Sequence, residues 1–193
     1  AALPAAAEVD AATGHKLPLP KFVRAALKKS AGPAGAVAGV LGGPLAGYTA
    51  VLLSNTSNPV WNDMKKHLPY VFVSSAGAAS SGLAMVTTPV EHAGPARVLG
   101  MAAAASDLAA TKVLEEGMEP EPREALHQGK PGALMKASEY FIAAGGVGSA
   151  VAAVTKSRAV SVAAGLSLLA GSACTRFGVL NAGLEAVKNP ETT

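Results

Sequence analysis

The sequence predicts an all-α fold, a polytopic integral membrane helical bundle with about five transmembrane helices. Half of the 193 residues are hydrophobic and 15% are charged, whereas a soluble domain usually has about 25% charged residues. No Asp, Glu, Lys, Arg or His lies between Lys29 and Asp63, and His67 is the one such residue between Lys66 and Glu91. Each run exceeds the roughly 20 residues that cross a hydrocarbon core. Neither run has the charged stripe that a helix of a soluble bundle presents to water.

The five spans follow from the apolar runs and from the prolines and glycines that separate them. Pro33 suits the first turn of the first span, and Pro44 is predicted to kink that helix. Small residues at every fourth position would let neighbouring helices approach closely; they are Gly35, Gly39, Gly43 and Gly47 in the first span and Ala76, Ser80, Ala84 and Thr88 in the second. The predicted spans are residues 33–54, 69–88, 96–114, 133–154 and 159–177.

The remaining segments are predicted to lie in water or at the membrane surface. Residues 1–30 form a basic N-terminal loop or tether, and residues 181–193 form a C-terminal tail, on either side of a bundle at 31–180. Residues 115–132 are acidic and contain three prolines, which predicts an exposed loop. The Lys and Arg residues divide equally between the two sides, and their cluster before the first span favours a cytoplasmic N-terminal side.

Cysteine, histidine and charge exclude several kinds of partner. A single cysteine, Cys174, excludes a disulfide framework and any four-cysteine iron–sulfur or zinc site within this chain. A net charge of +3, with basic residues scattered around apolar spans, does not favour nucleic acid. A haem held between membrane helices needs histidine ligands inside the spans, but all four histidines fall in loops or at their edges: His15, His67, His92 and His127.

Asp107 is the strongest candidate for chemistry. A carboxylate inside a membrane span is costly, and by default it marks a proton or ion pathway. The residue lies about 10 Å inside the end of its span, at 1.5 Å per residue. Lys112, Glu139 and Arg176 are expected in the same layer, on the same side of the membrane. The alternative is an interfacial salt-bridge network with snorkelling side chains.

The segment between the first two spans is the most polar crossing. Trp61 and Tyr70 lie at span ends, where amphipathic rings favour the membrane interface. A second interpretation is that Trp61 helps to form a docking surface, or the mouth of a site for a lipid-soluble substrate. Its companions there would be Asn55, Asn58, Asn62 and Asp63.

A resemblance to a known family is carried by this crossing, YTAVLLSNTSNPVWNDMKKHLPYVFVSSAGAASSG, and by three later segments. Those segments are EHAGPARVLGMAAAASDLAATKVLEE, GALMKASEYFIAAGGVGSA and LLAGSACTRFGVLNAGLEAVKNP. In this order, over roughly residues 30–190, the chain resembles the NrfD / polysulfide-reductase membrane-subunit family, particularly its actinobacterial members. The resemblance is to the C-terminal helical half of that family.

The resemblance implies a subunit of the bacterial plasma membrane without a redox cofactor of its own. Such a subunit exchanges electrons between the quinone or menaquinone pool and a docked ferredoxin-like iron–sulfur subunit, with proton translocation as a further expectation. The iron–sulfur subunit in turn serves a molybdopterin or multihaem catalytic subunit. The family's quinone-site residues lie in its N-terminal half, which would be a further partner here, and none of them is carried onto this chain.

Under this resemblance, Asp107, Glu139 and Arg176 are candidates for a proton route. The candidates for the face toward quinone or the partner subunit are Tyr48, Ser54, Asn55, Trp61 and Asp63. Two other classes stay open. One is a polytopic transporter or permease, with Asp107 and a kink at Pro44 on the substrate pathway; the other is a non-catalytic membrane anchor.

Overall fold

The computed structural model describes residues 21–188, and this part of the chain is helical with short connections and contains no strand. The all-α prediction is therefore confirmed. Most of the predicted N-terminal tether and the last residues of the predicted tail lie outside the described residues. The helices are α1 (Lys21–Ser54), α2 (Pro59–Asp63), α3 (Leu68–Thr87), α4 (Gly94–Glu116), α5 (Pro120–His127), α6 (Gly129–Thr155) and α7 (Arg158–Lys188), with a 3₁₀ turn at Met64–Lys66.

The chain divides into two compact units, residues 1–45 and residues 46–193, and α1 runs through the boundary between them. In the first unit, α1 has exposed apolar side chains such as Val40 and Leu45. In the second unit, the last turns of α1 join the bundle, where Ala50 is fully buried. All of the packing described below lies within the second unit.

Within residues 21–188, four helical segments are long and apolar enough to cross a membrane: Gly35–Ser54 within α1, and the whole of α3, α6 and α7. Helix α4 carries more charge, but its 23 residues extend about 34 Å at 1.5 Å per residue. That length matches a hydrocarbon core of about 30 Å. Because α4 packs beside both α3 and α6, it returns the chain across the same layer. The described residues thus form an all-α bundle with four candidate membrane spans.

Helices α3, α4, α6 and α7 form an antiparallel ring, in which each packs against the one before it and α7 returns to α3. The hydroxyl oxygens of Ser75 and Ser172 lie 2.8 Å apart between α3 and α7. Farther along the same contact, a Cβ added to Gly82 would be 2.6 Å from the carbonyl oxygen of Gly165. Lipid tails leave no hydrophobic force between helices, so close backbone approach and interhelical hydrogen bonds hold such bundles together.

Two buried clusters fill the ring. One lies at the end where α5 connects α4 to α6, here called the α5 end, and it contains most of the large side chains, including Met64, Leu68, Phe72, Leu114, Leu126 and Val179. The other lies toward the opposite end and consists mainly of small residues around three larger ones, Met85, Ile142 and Leu168. Alanine and glycine face each other there, as at Gly148, where an added Cβ would lie 2.9 Å from that of Ala164.

Three of the predicted helices match the structure closely. The spans at 69–88, 96–114 and 133–154 correspond to α3, α4 and α6 within four residues at each end. The predicted small-residue stripe of α3 is wrong, because Ser80 is exposed while Ala78 and Gly82 are buried. A period of four drifts away from one helix face, since a turn takes 3.6 residues.

The first helix begins earlier than predicted. It starts at Lys21, so Pro33 lies inside α1 and not in its first turn, and α1 also continues through Pro44. The flanking residues are rich in alanine, which has the highest helix propensity. Of the four glycines predicted to pack a neighbour, Gly47 belongs to the bundle unit, where an added Cβ would lie 3.5 Å from a side-chain carbon of Val73.

Two segments of the second unit are more structured than predicted. The expected loop at 115–132 contains α5, which begins with Pro120, in the first turn where its missing N–H removes no hydrogen bond. The last helix was expected to end at residue 177, and the tail after residue 180 to be separate, but α7 continues to Lys188. Its extension has a buried face at helical spacing: Val179, Ala182 and Ala186.

Candidate functional site

Asp107 is buried inside the bundle, with 2% of its surface exposed. The Ser74 hydroxyl of α3 lies 3.0 Å from a carboxylate oxygen of Asp107. The same hydroxyl lies 2.9 Å from the carbonyl oxygen of Tyr70 and 3.0 Å from that of Val71. Ser74 was not predicted from the sequence, because nothing in the run of small residues in α3 distinguishes it from its neighbours.

The Ser74–Asp107 pair can be hydrogen-bonded with or without a proton on the carboxyl group. A serine hydroxyl donates one hydrogen and accepts others. When Asp107 is ionised, Ser74 donates to it. When Asp107 is protonated, it donates to Ser74, whose own hydrogen turns to the Tyr70 carbonyl oxygen. In both states the Ser74 hydroxyl and the carboxyl oxygen that faces it remain hydrogen-bonded to each other.

A polar cavity of about 150 Å³ lies on one side of Asp107, toward the α5 end. Its wall comes from α4, α5 and α6. Lys112, Lys136 and Glu139 line the cavity and are exposed, so the cavity joins the buried carboxyl group to the surface. The other polar residues in the wall are Thr111, Glu115, His127 and Ser138. Such a volume, lined by polar groups, can hold water.

Two of the expected members of the polar layer take different places around Asp107. Glu139 lines the polar cavity. Arg176 of α7 does not line it, although its guanidinium is near enough to attract the Asp107 carboxylate electrostatically. The guanidinium carbon lies 5.1 Å from the centre of the buried Phe72 ring, in a cation–π contact.

The alternative of a salt-bridge network does not describe these residues. Within residues 21–188, the close contact of this kind at this layer is between His127 and Glu115, with 3.7 Å between Nε2 and Oε1, and it is an ion pair only when the imidazole is protonated. No carboxylate in that range pairs directly with Arg176. The hydrogen-bonding partner of Asp107 is a hydroxyl, so the carboxyl group is held without being locked into its charged form.

An apolar groove lies on the other side of Ser74, between α3 and α4. It has a volume of about 810 Å³, and its wall consists mainly of small and aliphatic side chains together with Pro69 and Tyr70. Gly77 and Ala103 face each other within the groove, and a Cβ added to Gly77 would lie 3.2 Å from that of Ala103. Ser74 thus borders the groove while it contacts Asp107.

The crossing between α1 and α3 is a clamp on the last helix. The Asn58 side chain accepts hydrogen bonds from the backbone of Val60 and Trp61, which caps α2, and its Nδ2 donates to the Gly183 carbonyl oxygen at 2.7 Å. The indole Nε1 of Trp61 donates to the Val179 carbonyl oxygen at 2.9 Å. The indole ring packs against Gly183, where a Cβ would overlap it.

The residues predicted to form a partner face are therefore divided. Trp61 contacts α7, and an Asp63 carboxylate oxygen accepts the Glu119 backbone N–H at 2.9 Å, so both are used within the chain. Ser54 is buried and donates to a carbonyl oxygen of its own helix. Tyr48 and Asn55 are exposed and are available to other molecules.

Comparison of the chain with protein-family models, with curated proteins and with solved structures gave no match. The described residues contain no cluster of three or more His, Cys, Asp or Glu side chains that could hold a metal ion. What distinguishes the site is a buried, hydroxyl-bonded carboxyl group between a polar cavity and an apolar groove.

Proposed function

We propose that this chain is a membrane subunit of a respiratory oxidoreductase and that it exchanges protons and electrons with quinone. The observation that carries the proposal is the position of the Ser74–Asp107 pair between the apolar groove and the polar cavity. A quinone needs an apolar site open to lipid, together with a group that gives or takes a proton when its electrons move. The groove and the pair meet these two requirements.

In this proposal the quinone ring lies in the α3–α4 groove, beside Ser74. Reduction of a quinone oxygen draws a proton through Ser74 from Asp107, and the polar cavity returns a proton to Asp107. Oxidation of the quinol follows the same route in reverse. The Arg176 guanidinium stabilises the ionised carboxylate between transfers, because opposite charges attract strongly where water is excluded.

The chain supplies the proton route, and the electrons come from elsewhere. We propose that a ferredoxin-like iron–sulfur subunit docks outside the membrane and that it serves a molybdopterin or multihaem catalytic subunit, in a bacterial plasma membrane. The N-terminal half of the family fold would complete the membrane part. The sequence resemblance supports these partners, and the exposed Tyr48 and Asn55 are the candidates for contact with them.

A matched pair of variants on α4 tests the quinone site. Ser106 and Ala105 are adjacent and both exposed, but Ser106 lines the groove and Ala105 does not. Ser106→Phe should fill the groove and abolish binding of a short-chain menaquinone to the purified protein, as measured by calorimetry. Ala105→Phe should bind as the wild type does. Equal binding by both variants and the wild type would remove the groove from the proposal.

Asp107→Asn tests the proton route separately. An amide can replace the carboxyl group in shape and can donate to Ser74, so the variant should fold and bind the menaquinone. It should not support proton uptake linked to quinone reduction in proteoliposomes that contain the whole complex. Unchanged proton uptake would show that Asp107 is not on the route.

The permease alternative receives less support from the structure. A substrate pathway through a membrane is often built on a broken helix with polar residues near the midplane. Helix α1 continues through Pro44 as one helix, and the polar cavity lies toward the α5 end. Uptake of a polar solute into liposomes that contain this chain alone would favour the permease.

A further inference from the structure

Arg97 is a buried cation at the end of the bundle opposite to the α5 end. It lies in the first turn of α4 and is 5% exposed. Its Nη2 donates to the carbonyl oxygen of Val90 at 2.8 Å, and its buried Nε atom has no partner. Among residues 21–188, no carboxylate forms an ion pair with it. A guanidinium stays protonated in proteins, so this buried charge is held by one carbonyl oxygen.

Arg158, at the same end of the bundle, shows how a cation is accommodated there without an anion. Its guanidinium donates to the carbonyl oxygens of Met85, Val86 and Thr88. These oxygens belong to the C-terminal end of α3, where the helix dipole is negative and favours a cation. Arg97 has the opposite position, at the N-terminal end of α4, where the dipole disfavours it.

The first turn of α4 offers two uncapped backbone donors, the N–H groups of Gly94 and Ala96. Pro95 has no N–H, and the Arg97 N–H donates to the Ala93 carbonyl oxygen. The N-cap residue, Ala93, has no side chain that can accept from the backbone N–H groups of the first turn. Free N–H groups at a helix start bind phosphate and other anions. A second buried polar atom without a partner, Oγ of Ser161 in the first turns of α7, lies at the same end of the bundle. The side chains that follow Arg97, Val98 and Leu99, are apolar and exposed.

We infer that Arg97 and the first turn of α4 bind a phosphate group. The guanidinium fork matches the oxygens of a phosphate, and the free backbone N–H groups supply further donors. The group can come from a phospholipid headgroup, whose acyl chains would lie along the exposed Val98 and Leu99, or from a phosphate ion in water. This site is separate from the proposed quinone groove and does not depend on it.

Native mass spectrometry of the delipidated protein in detergent tests the inference. Phosphatidylglycerol, phosphatidylcholine and inorganic phosphate are added in separate arms. The wild type should retain one phosphate-containing ligand, and Arg97→Gln should lower its bound fraction at least about tenfold, which is the effect of losing a charge-assisted hydrogen bond. Binding in either lipid arm identifies a headgroup site, and binding in the inorganic arm alone identifies a soluble anion.

Three further variants keep the test decisive. Lys156→Gln removes an exposed charge at the same end and should bind as the wild type does. Arg97→Lys keeps the positive charge but loses the two-pronged guanidinium, so it should bind the phosphate-containing ligand several-fold more weakly than the wild type. Arg97→Lys replaces Arg97→Gln in the test if Arg97→Gln does not fold. Glu91→Gln should leave binding unchanged, since Glu91 is exposed and does not pair with Arg97.

Two results would overturn the inference. The first is equal ligand retention by the wild type and the Arg97 variants in all three arms, including the case in which none of them binds. The second is a loss of thermal stability in Glu91→Gln equal to that in Arg97→Gln, with no further loss in the double variant. That pattern would make Glu91 the anion that compensates Arg97.

Discussion

The contact of Trp61 with Gly183 can be tested with a single added methyl group. Gly183→Ala places a Cβ where the indole ring lies, so the ring has to leave α7. The move breaks the hydrogen bond from the indole to the Val179 carbonyl oxygen, worth about 1 kcal/mol. It also exposes about 100 Å² of the ring, or roughly 2.5 kcal/mol at 25 cal/mol per Å². The variant should lose about 3.5 kcal/mol of unfolding free energy in total.

Trp61 is the only tryptophan of the chain, so emission excited selectively from tryptophan reports on this contact. Gly183→Ala should shift the emission maximum to the red and increase quenching by acrylamide. Unfolding in mixed detergent micelles, followed by circular dichroism, measures the free energy. Trp61→Phe keeps a smaller ring at the contact and loses the hydrogen bond, so it should be destabilised by less than Gly183→Ala.

Two controls separate the clamp from a general effect of alanine in a helix. Gly94→Ala adds a methyl group with no atom within 4 Å and should leave emission and stability unchanged. In a Trp61→Ala background, Gly183→Ala should have no further effect, because the ring that it displaces is gone. Wild-type emission and stability in Gly183→Ala would refute the clamp.

Two more predictions concern the interior of the bundle. Ser74→Ala removes the hydroxyl that holds Asp107 and should lower the unfolding free energy by about 1–3 kcal/mol. Asp107→Ala should lower it less, because Ser74 keeps the carbonyl acceptors of its own helix. The reverse order, measured by unfolding in micelles, would contradict this prediction. Gly82→Ala forces a Cβ against the Gly165 carbonyl oxygen and should lower the unfolding free energy by about 1–3 kcal/mol. Gly94→Ala should not lower it. Equal unfolding free energies for the two variants would mean that α3 and α7 can separate freely.

The helices of the bundle could be predicted because membrane spans are defined by long uncharged runs. The run from Lys66 to Glu91 predicted α3 to within one residue at each end. Asp107 was found for the same reason, as a charge in an otherwise apolar helix. These are properties of a residue and its neighbours in the chain, and periodicity and composition are sufficient to find them.

The features missed by sequence reasoning depend on contacts between distant residues. Ser74 became part of the site because α4 places Asp107 beside it, and no local pattern distinguishes it from Ser75 or Ser80. The helical extension of α7 to Lys188 is stabilised by Trp61, which is 118 residues away from its hydrogen-bond acceptor. Trp61 itself was predicted as an interface anchor or docking residue, because its contact with α7 leaves no trace in the sequence around it.

The closed ring of α3, α4, α6 and α7 has a consequence for how the protein is made. During synthesis each helix can pack on the helix made just before it, but the contact of α7 with α3 has to wait for the last part of the chain. Until then one face of α3, with Ser75 and Gly82, has no helix to cover it. The clamp from Asn58 and Trp61 onto α7 also forms only at that stage. A ribosome-bound chain that stops before residue 179 should therefore be membrane-inserted but sensitive to protease at the crossing.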